Sequence, residues 1–331
     1  MNDFYKLYSI GKNTKKPDSR GKSFGYQVLG FGSGVETAIA VRGVWGSAFT
    51  PSKSNVIDFV EIATLGNASD FGDLTVARFR VNSSSANSTR GLWFGGNSDP
   101  TRLDVIDYIT IASEGNATDF GNLSSVGQHG YSGNNDTRIV HCLGDVSDAS
   151  SDVMEYVTIA SEGNTTDFGN LTLARQTAAG CSSTTRTIFG AGYNTPAESQ
   201  TMIDLVTTAS TGNATDFGDM IAAKSAHSAL SSGTRGVFAG GNLAGNSIEY
   251  VTIASAGNST DFGDLTTVAE NSSGGTSNKI RGVFAMGGTP SNGNTIEYIT
   301  IASTGNSLDF GDRTVAGMYA GACSNGNGGL A

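Results

Sequence analysis

Two markers recur along this chain with one shared period, and that period restricts the fold more than any other feature. The heptad Gly-Asn-x-x-Asp-Phe-Gly places its phenylalanine at Phe71, Phe120, Phe168, Phe217, Phe262 and Phe310, in steps of 45 to 49 residues. An arginine recurs at Arg42, Arg90, Arg138, Arg186, Arg235 and Arg281, in steps of 46 to 49. Residues 42–331 therefore divide into six units of about 48 residues. A period of roughly 40–50 residues filled with short strands is the signature of propeller blades.

The fifth unit is legible strand by strand. His227–Ser232 reads as a small-residue strand a, and Arg235–Ala239 as an apolar strand b stopped by Gly240-Gly241. Ile248–Ser255 is the β-branched and aromatic strand c, and a Gly257-Asn258 turn leads into strand d, Thr260–Leu265. No unit holds a helix-length apolar run at a spacing of about 3.6 residues. The repeat opens at strand b (Arg42–Gly46) and ends after a spare strand a (Gly317–Ser324). Insertion of that last strand into the first blade closes a ring and removes its open edges. The expected fold is all-β: a six-bladed propeller over residues 41–331, closed by the C-terminal strand and preceded by an extended arm, residues 1–40.

Composition narrows the function classes. Glycine is abundant (46 of 331) and charged residues are few at 15%, as a turn-rich β chain requires. No segment approaches the ~18 apolar residues of a membrane span. The first residues lack the apolar run of about 7–15 residues that a secretory signal carries. Residues 1–23 carry a net charge of +4 and the remainder −14. An acidic body disfavours nucleic acid, which demands a basic footprint. Cys142, Cys181 and Cys323 match no zinc or redox spacing, and no cofactor or metal site is expected.

The order arginine, apolar strand ending in Gly-Gly, acidic-x-aromatic strand, then a bulky aromatic resembles the Kelch repeat. Ile248-Glu249-Tyr250 stands for its acidic-aromatic step, and Phe262 stands where Kelch repeats carry tryptophan. That resemblance implies that strand a, with His129 and His227, lines a central channel. Units reading YVTIAS-x-GN-x-TDFGDLT, preceded by the segment Gly25–Gly32, resemble virion structural proteins of tailed phages of marine bacteria. This second resemblance implies a tail-fibre-like or surface appendage assembled into a particle in the host cytoplasm.

Each repeated arginine has an acidic counterpart on strand c: Asp58, Asp107, Glu155, Asp204, Glu249 and Glu297. A group copied around a ring suits a scaffold better than asymmetric catalysis, so six structural ion pairs are expected. The phenylalanines are expected to plug the gaps between blades, with the preceding aspartates capping turns. His141 occupies the slot held elsewhere by Trp45, Trp93, Phe189, Phe238 and Phe284, and is expected in the core. Neither a kinase constellation nor a complete sialidase Asp box accompanies Asp-Phe-Gly, and the chain is expected not to be an enzyme.

Function is expected where the units differ, in the b–c connections, which share one face of the ring. Phe49, Asp99, Arg102, Asp145, Asp148 and Tyr193 are the residues there suited to a partner, a host-surface receptor or glycan. In the arm, Phe4, Tyr5, Tyr8, Lys15, Lys16, Phe24, Tyr26 and Phe31 supply the spaced aromatics and charges that order on other virion proteins. The expectation is a homo-oligomeric virion appendage anchored by its arm. The alternatives are a purely structural decoration or adaptor protein, and, third, a glycan-active propeller enzyme.

Overall fold

The computed structural model describes residues 41–326 apart from 82–83, 197, 272 and 289–291. The arm residues Phe4, Tyr5, Tyr8, Lys15, Lys16, Phe24, Tyr26 and Phe31 lie outside the described part. Val41 onward forms one compact unit.

Six antiparallel sheets, each built on four strands in the order a-b-c-d, follow one another around an axis. Blade one combines Gly321–Ser324 with Arg42–Thr50, Ser52–Glu61 and Ser69–Arg78. Strand a of blades two to six is Ser84–Ala86, Tyr131–Asn134, Ala179–Ser182, Ser228–Ser231 and Gly275–Ser277. In blade five the remaining strands are Arg235–Ala239, Ser247–Thr252 and Thr260–Asp264, close to the sequence reading. The ring closes through Gly43↔Ser324, Val44↔Cys323, Trp45↔Ala322 and Gly46↔Gly321, so the C-terminal strand is the inner strand of the first blade. The chain is a six-bladed β-propeller of Kelch type.

Six apolar clusters lie between neighbouring sheets. One joins Leu92, Phe94, Ile106 and Phe120 of blade two to Ile139, Leu143, Val157 and Ile159 of blade three. The six repeat phenylalanines are buried in such clusters, where large apolar rings are most stabilising. His141 is buried in the aromatic slot and stacks on Phe94 at 4.9 Å between centroids, as its position in the repeat implies.

The Gly-Asn-x-x-Asp-Phe-Gly heptad is a stitch between blades. In every unit the asparagine Oδ1 accepts the amide of a strand-d residue one blade earlier: Asn67 from Asp312, Asn116 from Asp73, Asn164 from Asn122. Asn213, Asn258 and Asn306 repeat the contact with Asn170, Asp219 and Asp264, at 3.0 Å each. The Asp-Phe-Gly aspartates, expected as turn caps, instead stand exposed at the start of strand d, with Asp70 opposite Asp58. The asparagine has taken the capping task because its turn lies against the neighbouring sheet.

The glycine after each phenylalanine makes that approach possible. A Cβ on Gly263 (φ 145°) would stand 2.5 Å from the carbonyl of Gly305, whereas one on Gly305 (φ 154°) meets nothing within 4 Å. Both positions penalise a side chain conformationally, but only the first also forces blades apart. Gly263→Ala is expected to lower unfolding free energy by about 2–4 kcal/mol and Gly305→Ala by about half that. Urea denaturation of both variants measures the difference; equal losses would sink the stitch.

The expected arginine–carboxylate pairs do not form. Arg42 is opposite Glu61 across the b–c ladder, so Glu61 and Phe59 share its face while Asp58, opposite Trp45, points to the other. The guanidinium therefore lies 4.4 Å over the Phe59 ring and bonds Glu61, Glu114 and the Ile111 carbonyl of blade two. Arg90, Arg138, Arg235 and Arg281 likewise stack on Tyr108, Tyr156, Tyr250 and Tyr298. Each of these four, and Arg186, donates to a carbonyl of the following blade, ending with Arg281 on Ile62 of blade one.

The strand-c acids face the preceding blade instead. Asp107 pairs with Arg78 at 3.0 Å, Asp204 with Arg175 at 2.9 Å, Glu249 with Lys224 at 2.7 Å and Asp58 with Arg313 at 3.1 Å. These four pairs are fully or almost fully buried, and burial pulls the pKa of Arg78, Lys224 and Arg313 down against the attraction of their carboxylates. Glu155 and Glu297 accept the amides of Ser124 and Thr266. The buried strand-c acids thus lock blade to blade, while each repeated arginine but Arg186 both stacks on strand c of its own blade and reaches a carbonyl of the next.

Candidate functional site

Because strands alternate in direction, a–b and c–d turns emerge at one end of the ring and b–c and d–a connections at the other. The second end is sewn together by short bridges between the two kinds of connection: Phe79↔Asn97, Gln128↔Asp145, Gln176↔Tyr193, Ser225↔Asn242 and Phe49↔Met318. The b–c connections thus sit beside the entrance of the central channel, not at the rim alone.

The entrance is framed by a ring of residues nine positions after each repeat phenylalanine. Arg80, His129, Thr177, Ala226, Asn271 and Tyr319 all adopt left-handed φ values between 51° and 61°. Their backbones are linked: His129 donates to Arg80 O, Thr177 to His129 O, Ala226 to Thr177 O and Tyr319 to Asn271 O. Five of the six, all but Arg80, line a cavity of about 220 Å³ together with Gln176, Tyr193, Ser225 and Asn242. His129 and Tyr319 meet edge to face at 5.6 Å.

Deeper in, the channel narrows to a cavity of about 90 Å³ bounded by the six strands a. Its wall is a girdle of small polar side chains. Asn134 bonds the Ala86 carbonyl and the Ser182 hydroxyl, Ser182 N meets Ser231 Oγ, Ser277 Oγ reaches Ser231 O and Ser324 Oγ reaches Ser277 O. Both histidines expected on strand a precede it: His227, next to Ser228, lies in this wall, whereas His129, further from Tyr131, stands at the entrance. Cys181 and Cys323 border the cavity, their thiols pushed up by burial. Among the described residues no group of three or more His, Cys, Asp or Glu side chains is placed to hold a metal ion.

The structure brings three of the loop residues singled out in the sequence into direct contact. Arg102 from blade two bonds Asp145 at 3.1 Å and also Asp148, both from the blade-three loop. Burial opposes the charge on Arg102, but its bonds to Asp148 and Asp145 outweigh that and raise its pKa. Gln128 joins this pair to the entrance, donating to Asp145 and accepting from Asn97 and Arg80. Asp99 is exposed at the blade-two loop tip, its amide on Asn97. Tyr193 lines the entrance cavity, and Phe49 packs its ring 5.1 Å from Phe79. The b–c connection of the first blade, Ser47–Asn55, is mostly strand, because Ala48, Phe49 and Thr50 pair with Ser54, Lys53 and Ser52 and carry the hairpin to a tip at Pro51.

Sequence reasoning missed the left-handed ring. The sequence hid it: the column nine residues after each phenylalanine holds six different residues and no glycine, in a chain with 46 glycines. Left-handed φ is where glycine is the ordinary choice.

Three histidines carry a pH dependence. Burial draws His129, His141 and His227 from 6.5 down to about 3, aided by Arg80 and Arg102 at His129 and by Lys224 at His227. All three are neutral in the fold but protonate near pH 6.5 once unfolded. Their contribution is therefore complete above that pH and is lost progressively as pH falls toward 3. The urea midpoint is expected to decline steadily from about pH 6.5 to 4; a flat profile would contradict this assignment.

Kelch-type six-bladed propellers closed by a terminal strand are the class that fold and entrance define. No protein-family model and no curated protein matches the chain. No helix among the described residues is long and apolar enough to cross a membrane.

Proposed function

We propose that this propeller is a non-enzymatic structural component of a phage particle, a tail-fibre-like or surface appendage. Residues 1–40 anchor it to other virion proteins and the b–c/d–a face points outward to the host surface. As a rigid six-bladed ring the protein is suited to act as a scaffold for protein interactions. One observation carries the reading: the repeated asparagines, phenylalanines and strand-c acids are consumed in blade-to-blade contacts, while the b–c connections, which differ between units, meet at one end of the ring. A rigid ring presenting variable residues at one end is how a recognition surface is built. The sequence resemblance to virion proteins supplies the setting.

Cryo-electron microscopy of the intact particle tests this reading. The expected result is residues 1–40 buried in the particle and the channel entrance facing solvent. An entrance packed against other subunits would leave a structural adaptor, and absence from the particle would overturn the virion reading altogether.

A further inference from the structure

The six entrance positions pose a chemical question. Left-handed φ costs any residue with a Cβ; elsewhere this chain meets that cost with glycine, as at Gly95, Gly144 and Gly240, and about as often with a larger residue, as at Ser47, Ala191 and Leu243. What sets the six entrance sites apart is that glycine stands at none of them, so Arg, His, Thr, Ala, Asn and Tyr side chains occupy every corner of the ring. Arg80 turns away to Gln128, and the other five converge on the cavity of about 220 Å³.

What that cavity takes follows from its lining. Among the described residues no lysine, arginine, aspartate or glutamate lines it, and the nearest cations, Arg80 and Arg102, which act on His129 from behind the wall, are engaged by Gln128 and by Asp145 and Asp148. Asn242 and Asn271 each carry an amide that both donates and accepts, Gln176 carries one already donating to Thr195, and hydroxyls come from the two tyrosines, from Ser225, which accepts from Ser199, and from Thr177, which donates to the Gln176 carbonyl. His129 is held neutral and so also offers one donor and one acceptor nitrogen. Its Nδ1 and the Oδ1 of Asn242 are buried without a hydrogen-bond partner among the described residues. Buried polar atoms of this kind await a polar guest. Tyr193 and Tyr319 add ring surface against which an apolar C–H face can lie. The volume is below the roughly 300–1,000 Å³ typical of drug-sized ligands, so it holds one ring and not an extended chain.

We infer that the channel entrance is a binding site for one uncharged pyranose, the terminal residue of a glycan, held by the amides, hydroxyls and tyrosine rings that converge there. This deepens the outward-facing role proposed above and rests on it for its biological setting.

Ligand-observed saturation-transfer NMR on the full chain tests the inference, using the methyl glycosides of glucose, galactose, mannose and N-acetylglucosamine. At least one is expected to bind with millimolar affinity. His129→Gly and Tyr319→Gly place glycine where the backbone favours it, so each is expected to melt within about 4 °C of the parent. Each should nevertheless weaken binding by about tenfold or more, whereas Ala226→Gly, which removes only a methyl group, should retain it. No signal from any of the four glycosides, or equal binding by the His129 and Tyr319 variants, overturns the site. Binding of inorganic phosphate with no glycoside bound overturns its neutral chemistry. Each of these failures leaves the particle location measured by microscopy untouched, so the two readings fail separately.

Discussion

A chain ending at Ala320 is expected to lose cooperative folding. The deletion removes strand a of the first blade, with its four ladder pairs to Gly43–Gly46 and the buried Cys323 that fills the cluster between blades one and two. It also removes the Ser324 hydroxyl from the Ser277 carbonyl and the Trp93 indole's acceptor, Gly321 O. Strand b of blade one then becomes an open sheet edge facing the axis, and exposed edges pair with other chains. A loss above roughly 5 kcal/mol consumes most of the stability an ordinary domain possesses. Gel filtration and thermal unfolding should show an aggregating or non-cooperative species. A truncated monomer melting within a few degrees of the parent would mean that blade-to-blade stitches, not strand insertion, hold the ring.

The second large effect concerns a buried charge. Arg175 and Asp204 are both inaccessible to solvent and 2.9 Å apart, and Asp204 also accepts from the Thr172 hydroxyl at 2.5 Å. Asp204→Ala leaves the guanidinium uncompensated in the interface between blades three and four, and is expected to cost about 3–5 kcal/mol. Replacing both members, Arg175→Met with Asp204→Leu, removes the stranded charge and should recover most of that loss. Arg90→Ala, by contrast, removes a part-buried guanidinium 4.6 Å over Tyr108 and should cost only about 0.5–1 kcal/mol. Urea unfolding of these variants beside the parent gives the comparison. A double variant as unstable as Asp204→Ala would show that the acid acts through Thr172 and not through the arginine.

The arginines and strand-c acids mark the limit of what a sequence repeat reveals. Aligned columns showed that an arginine and an acid recur together, but not which face of a strand each occupies. Arg42 and Asp58 fail to meet because the b–c register sets Arg42 against Glu61, and a side chain three residues along a strand points the other way. A finer pattern was also legible without being interpretable. Units with aspartate on strand c carry alanine after the Gly-Asn turn (Ala68, Ala117, Ala214), and units with glutamate carry Thr165, Ser259 or Ser307. In the fold the longer acid bonds that hydroxyl, as Glu249 does with Ser259 at 2.6 Å, while each aspartate takes an arginine from the preceding blade.

By itself the sequence determined the period, the number of blades, the order of their strands and the closure, because these follow from local propensity and from counting along the chain. Only the tertiary structure decided which charges pair and which side chains meet at the axis. Those contacts join residues far apart along the chain, as with Arg78 and Asp107 or His129 and Tyr319, and they exist only once six sheets are wrapped into one ring. Local sequence specifies each blade, whereas the entrance belongs to none of them singly: its lining is drawn from five successive corners of the closed circle.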